Sequence, residues 1–178
     1  MFEMSRDELI KRLERLDEDA FFSFDTNSHY YLVIVGGGAL ILQRYISRAT
    51  HDVDVILVSP ELSELLEKYD INCRVQTYIN NFPYNYEDRL VLLFQGRKVD
   101  FYTASLEDIV VTKLYSSRAV DKVDVESDEV LKHLNWHLLE KLALNEDEAR
   151  ASALNYRNYE NFKANYEEYV RKFRPCVN

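Results

Sequence analysis

Three of the chain's four glycines stand side by side, at Gly36, Gly37 and Gly38. Glycine concentrated in this way marks a place where the backbone takes a positive φ, or approaches a neighbour more closely than a Cβ allows. The flanking residues give that place a structure. Tyr30–Val35 is a β-branched, apolar run of strand length, and Ala39–Ile46 sets Ala39, Leu42, Tyr45 and Ile46 on one helical face. The glycines are therefore expected as a strand-to-helix turn. Such a turn presents backbone N–H groups at the positive end of a helix dipole, where a polyphosphate can sit without a side chain in the way. A tight turn serving only helix–strand packing is the alternative. Two familiar phosphate motifs are absent: Ile41 occupies the last glycine place of GxGxxG, and Ala39 and Leu40 follow the glycines where GK[ST] requires Lys.

Asp52–Val58 reads as the next strand, closed by Ser59 and Pro60. Side chains two apart on a strand project from the same face, so Asp52 and Asp54 lie together while Val53 and Val55 face the core. Two adjacent carboxylates repel each other unless a cation lies between them. Their hard oxygens suit Mg2+ or Mn2+, and the pair matches what phosphoryl-type transfer requires. A solvated Asp-x-Asp at a strand end is the other reading.

The remaining elements follow from periodicity. Residues 5–16 form an expected helix with Ser5 and Glu8 at capping-box spacing, and Glu61–Tyr69 a short one. Strands are expected over 71–79 and 90–103, with a turn at Gln95–Lys98. From Ser105 onward the pattern is helical, around 105–114, 127–142 and 146–173. In the last of these, Tyr156, Tyr159, Phe162, Tyr166, Tyr169 and Phe173 recur at steps of three and four, the signature of a packing face. The expected fold is α/β (α+β), a mixed sheet flanked by helices over residues 1–103 with a helical part, 104–178, packed on it. Lys113 falls on the apolar face of its helix with Ile109, Val110 and Leu114, so its ammonium either snorkels or meets phosphate or carboxylate. His133 and His137 are four apart, but Leu134 stands where HExxH has Glu.

Charge and cysteine content narrow the function classes. With 22 Lys and Arg against 31 Asp and Glu, the formal charge is −9, which excludes a generally basic nucleic-acid coat and leaves room only for a local basic groove. Cys73 and Cys176 form no CxxC pair, so no zinc site is expected and a reducing compartment fits. The longest apolar runs are strand-length, so a soluble, cytoplasmic protein without membrane partners is expected.

Val35-Gly36-Gly37-Gly38-Ala39-Leu40 followed by Arg48-Ala49-Thr50-His51-Asp52-Val53-Asp54 resembles the signature of the nucleotidyltransferase superfamily, a glycine pair opening a helix and then a strand with Asp-x-Asp. The GGxAL form and the Arg-x-Thr-x-Asp-x-Asp approach look most like the AbiE-type nucleotidyltransferases of type IV toxin–antitoxin systems. Lys98-Val99-Asp100 is similar to the family's basic-hydrophobic-Asp motif, and Lys113-Leu114 with Arg118, Asp121 and Asp124 to its Lys…Arg…Asp-x-x-Asp motif. The resemblance spans roughly residues 32–125 and implies a nucleotidyltransferase-like sheet.

It further implies that Asp52, Asp54 and Asp100 bind Mg2+ or Mn2+ and carry catalysis, with Asp100 as general base. Gly36, Gly37, Gly38, Arg48, Lys113 and Arg118 are the implied NTP-binding residues. The implied reaction moves a nucleoside monophosphate from an NTP to a hydroxyl of RNA, such as tRNA, or of a protein side chain, in a toxin–antitoxin setting with a cognate antitoxin. Read without the family, Asp100 is structural or solvent-facing unless its strand neighbours the Asp-x-Asp strand, and Arg48 and Arg118 are surface ion-pairing residues. Asp121 and Asp124 either orient these cations or cap the following helix. Two other classes compete: a nucleotide- or partner-binding module of the same fold with little turnover, antitoxin-like, and a small-molecule (drug-modifying) nucleotidyltransferase.

Overall fold

The apolar run before the glycines forms strand β1 (Tyr30–Val35) in the computed structural model of the chain, which describes residues 4–56, 58, 60–73, 79–145 and 156–175. The chain divides into two compact units, Met1–Gln76 with Arg89–Ala104, and Thr77–Asp88 with Ser105–Asn178.

The first unit holds the sheet. Helix α1 (Arg6–Ser23) begins at Ser5, whose N–H donates to Glu8 Oε2 at 2.7 Å, closing the expected capping box. It buries Leu9, Leu13 and Leu16 as the periodicity requires, and runs seven residues past the expected end at 16. After β1 come α2 (Gly36–Leu42), β2 (Val53–Ile56), a 3-10 turn at Pro60–Leu62, α3 (Ser63–Lys68), β3 (Ile71–Asn72), β4 (Val91–Gln95) and β5 (Val99–Thr103). The sheet order is β3-β2-β1-β5-β4. β1 runs antiparallel to β2 and parallel to β5, β2 parallel to β3, and β4 antiparallel to β5. One sheet face is core: Leu32, Ile34, Val53, Val55, Val99, Phe101 and Thr103 are all buried.

Boundaries also differ from the sequence reading at α2 and β2. Helix α2 starts at the glycines themselves and stops at Leu42 rather than Ile46, because Arg44 turns into the left-handed region at φ 67°. β2 ends at Ile56. The expected strand 71–79 is described only as Ile71–Asn72; residues 74–78 lie outside the described residues.

The second unit is helical: α4 (Leu106–Leu114), α5 (Ala119–Val125), α6 (Asp128–His133), α7 (Trp136–Leu144) and α8 (Tyr156–Phe173). Ser105 caps α4 by accepting from the Asp108 N–H at 3.1 Å. The expected helix 127–142 is two helices, because Asn135 takes an extended conformation and caps α7 through a bond from the Leu138 N–H at 3.0 Å. The aromatic stripe packs inward, with Tyr159, Phe162, Tyr166 and Tyr169 buried and Phe162 stacked on Tyr115 at 4.2 Å. Residues 146–155 of the expected last helix, and Cys176, lie outside the described residues. Among the described residues no helix is long and apolar enough to cross a membrane.

Candidate active site

The glycine turn and the Asp-x-Asp segment meet because β2 returns antiparallel beside β1, bringing Asp54 opposite Val35. Gly36, next in the chain, takes φ +64°, and a Cβ built on it would lie 3.6 Å from Asp54 Oδ2. A Cβ on Gly38 would lie 3.8 Å from the Asp52 carbonyl oxygen and 3.9 Å from Val53 Cα. The positive φ explains glycine at 36; a Cβ on Gly38 would meet only ordinary van der Waals contacts, with Ile34 of β1 at 3.7 Å and with the Asp52–Val53 backbone. Backbone and carboxylate are thereby held edge to edge at the start of α2.

Asp54 is partly buried, and its Oδ1 accepts from Asn72 Nδ2 at 2.9 Å, Asn72 being its partner across the β2–β3 ladder. Asp52 precedes β2 and is exposed; among the described residues its carboxylate makes no hydrogen bond or ion pair. The Thr50 hydroxyl donates to the Asp52 carbonyl at 3.1 Å, fixing the backbone on which that carboxylate stands. Asn72 was invisible to motif reading, since only the pairing of β3 with β2 brings it to Asp54.

This donor set fits Mg2+. That ion is usually held by one or two carboxylates, with substrate phosphates and water completing its shell. Among the described residues no group of three or more His, Cys, Asp or Glu is arranged to hold a metal unaided.

The register places Asp100 away from Asp54. Asp100 pairs with Tyr31, whereas Asp54 pairs with Val35, and β1 lies between their strands. The two aspartates share a sheet face but stand four residues apart along β1, about 13 Å at the usual strand rise, which no single ion spans. Asp100 Oδ1 lies instead 3.2 Å from His29 Nε2. The Asp-x-Asp and Lys-Val-Asp segments were expected on neighbouring strands; β1 lies between them, so the register sets Asp100 apart from Asp54. Asp100→Asn is accordingly expected to leave any Mn2+-induced rise in Tm unchanged while Asp54→Asn lowers it. Equal losses in thermal-shift titrations would return Asp100 to the site.

Lys98, the first residue of the same motif, is structural. It is 2% exposed, and its ammonium donates to the Ser28 carbonyl at 2.7 Å and to the Asp25 carbonyl. Arg48 Nη1 donates to the Ala49 carbonyl at 3.1 Å.

In the helical unit, Lys113 is buried, and its Nζ donates to Asp121 Oδ1 at 2.5 Å and Asp124 Oδ2 at 2.9 Å. Of the partners left open by the sequence, the structure shows carboxylate. Ser116 Oγ donates to Asp121 Oδ2 at 2.6 Å, and Arg118 Nε lies 3.5 Å from the same oxygen. Burial pushes the Asp121 carboxyl up, but the bonds from Lys113 and Ser116 outweigh it and hold its pKa below the ordinary 3.8. A depressed carboxyl contributes stability that is complete above the unfolded value and is lost as pH falls through the folded one. Acid-induced loss of stability is therefore expected below about pH 4, and thermal melts of Asp121→Asn should show a smaller loss over that window. His133 and His137 fall on different helices, α6 and α7, and His133 Nδ1 bonds the Glu129 carbonyl at 2.8 Å, so they do not form the helical pair their spacing suggested.

Comparison with known families matches residues 11–174 to the family described as "Nucleotidyltransferase of unknown function (DUF6036)". The chain belongs to this family. No curated protein and no solved structure shows a match. The nucleotidyltransferase assignment covers both units, and the mixed five-stranded sheet with its helices agrees with the fold expected from the motifs.

Proposed function

We propose that this nucleotidyltransferase uses Asp52 and Asp54 to hold Mg2+ or Mn2+, and the Gly36–Gly38 turn to receive the phosphates of an NTP. The observation that carries the reading is the meeting of the Asp54 carboxylate with Gly36 at the opening of α2. A phosphate placed there faces backbone rather than side chains, while the carboxylates beside it require a cation before an anion can approach. In the reaction, an acceptor hydroxyl oxygen bonds the α-phosphorus, the bond from that phosphorus to the β-phosphate oxygen breaks, and pyrophosphate leaves as the hydroxyl proton passes to water. The metal, when bound, offsets charge on the transferring phosphoryl group. Asn72 orients Asp54, and Thr50 fixes the backbone of Asp52.

A Lys113 ammonium already bonded to two carboxylates has little charge left to offer a triphosphate, so the reading rests on the sheet unit alone. An RNA or protein acceptor and a toxin–antitoxin role with a cognate antitoxin rest on the AbiE-type form of the GGGAL and Arg-x-Thr-x-Asp-x-Asp segments. The test is incubation with each α-labelled NTP, Mg2+ or Mn2+ and whole-cell extract, followed by separation of RNA, protein and small molecules. Label entering RNA or protein supports the reading; label entering only small molecules shifts it to drug-modifying chemistry; no transfer from any NTP overturns it.

A further inference from the structure

A polar cavity lies in the sheet unit, between α1 and the end of α3, with a volume of about 430 Å³. Its lining brings together four cations, Lys11, Arg12, Arg15 and Lys68, in a chain of net charge −9. Their partners differ. Lys68 is paired with Asp19 at 2.5 Å, and Arg12 is fixed by donating to the Tyr69 carbonyl at 2.8 Å, with Asp70 at 3.8 Å. Lys11 and Arg15 are exposed; the Tyr69 hydroxyl lies 3.1 Å from the Arg15 carbonyl, but among the described residues neither the Lys11 ammonium nor the Arg15 guanidinium makes a hydrogen bond or an ion pair.

One turn apart on α1, at i and i+4, these two side chains project from the same helix face. Of the carboxylates in the lining, Glu8 feels the charge of Lys11, but neither it nor Asp70 forms an ion pair with Lys11 or Arg15. Glu8 is bonded to the backbone N–H and hydroxyl of Ser5, and Asp70 is turned to solvent, 86% exposed. The Tyr69 hydroxyl and Lys68 both donate to Asp19, which lies outside the lining. The cavity therefore presents two exposed cations that form no ion pair, backed by a held guanidinium, in a concave setting where field lines are focused. Carboxylate ligands need one such fork; a phosphate ester, with its further oxygens, can accept from several at once.

We infer that this cavity is a binding site for a phosphate-bearing ligand, separate from the Asp52–Asp54 centre. Asp70 immediately precedes β3, whose Ile71 pairs with Val53, so the cavity borders the strand end that carries Asp52. A phosphate held there is placed as part of a longer phosphodiester strand or as a free phosphate anion. Either way the site stands on its own cations, and it holds whether or not Asp52 and Asp54 carry out transfer.

The test uses the full chain without metal or NTP, so that no turnover enters the readout. Binding of a short fluorescein-labelled oligouridine is followed by anisotropy and binding of inorganic pyrophosphate by calorimetry, for the wild type, Lys11→Gln/Arg15→Gln, and a control, Lys132→Gln/Lys163→Gln, that removes two charges from α6 and α8. Gln keeps helix propensity at these exposed positions, so folding is preserved. The wild type and the control are expected to bind alike, and Lys11→Gln/Arg15→Gln about tenfold or more weaker, with the salt slope for oligouridine reduced by about 1.4 for two lost phosphate contacts. Loss for oligouridine alone identifies a nucleic-acid strand as the source of the phosphate; loss for both probes identifies a free phosphate anion. Failure of the wild type to bind either probe, unchanged affinity in Lys11→Gln/Arg15→Gln, or equal weakening in the control overturns the site.

Discussion

Asp17→Ala is expected to destabilise the chain by about 3–6 kcal/mol, a large share of the 5–15 kcal/mol typical of a folded domain. Asp17 is a buried carboxylate on α1, 7% exposed, and it accepts from the backbone N–H groups of Arg97, Lys98 and Val99, each at 2.8 Å. Removing it leaves three donors without their acceptor at the β4–β5 turn, two of them in buried bonds. Gly96 belongs to the same clamp. A Cβ there would collide with the Val99 carbonyl oxygen and with the Asp17 carboxylate, both held by the turn they close. Gly96→Ala is therefore expected to fail in the same direction. Denaturant unfolding followed by far-UV circular dichroism measures both, and a midpoint within error of wild type for Asp17→Ala would show that the turn is held by something else.

That clamp also marks where the sequence stops being legible. Asp17 looks like any solvated acid on an amphipathic helix, since its acceptors' donors come from eighty residues further along the chain. Periodicity placed α1, β1, β2 and the aromatic face of α8 because each reports a local choice between core and solvent. The glycine turn and Asp54 were legible as neighbours because their spacing along one strand–helix–strand passage brings them together almost regardless of the rest. Asp100 was not, because its place depends on strand order, and β1 sits between β2 and β5. Asn72 was missed for the same reason in reverse: nothing about it is unusual until β3 pairs with β2. Lys113 was recognised as a cation that needed a partner, and the partner, Asp121 with Asp124, lay within one motif's reach.

The second large effect is catalytic. Asp52→Asn/Asp54→Asn removes both carboxylates while keeping the side-chain volumes, and Asn at 54 still offers an oxygen to Asn72. The fold should survive. What is lost under the proposed function is the charge that would draw the cation to the glycine turn, an interaction strongest when negative charge develops on the transferring phosphoryl group. The effect is therefore expected in the rate of transfer, roughly a thousandfold or more, rather than in stability. Lys11 and Arg15 lie outside this set, so phosphate binding in their cavity should be unaffected by the double substitution.

The central claim is tested most directly by the rate at which label from an α-labelled NTP enters acceptor in the presence of Mg2+ or Mn2+, for wild type and Asp52→Asn/Asp54→Asn at matched circular dichroism. The account predicts transfer by the wild type and its near-complete loss in the double variant; transfer by the double variant at the wild-type rate would contradict it.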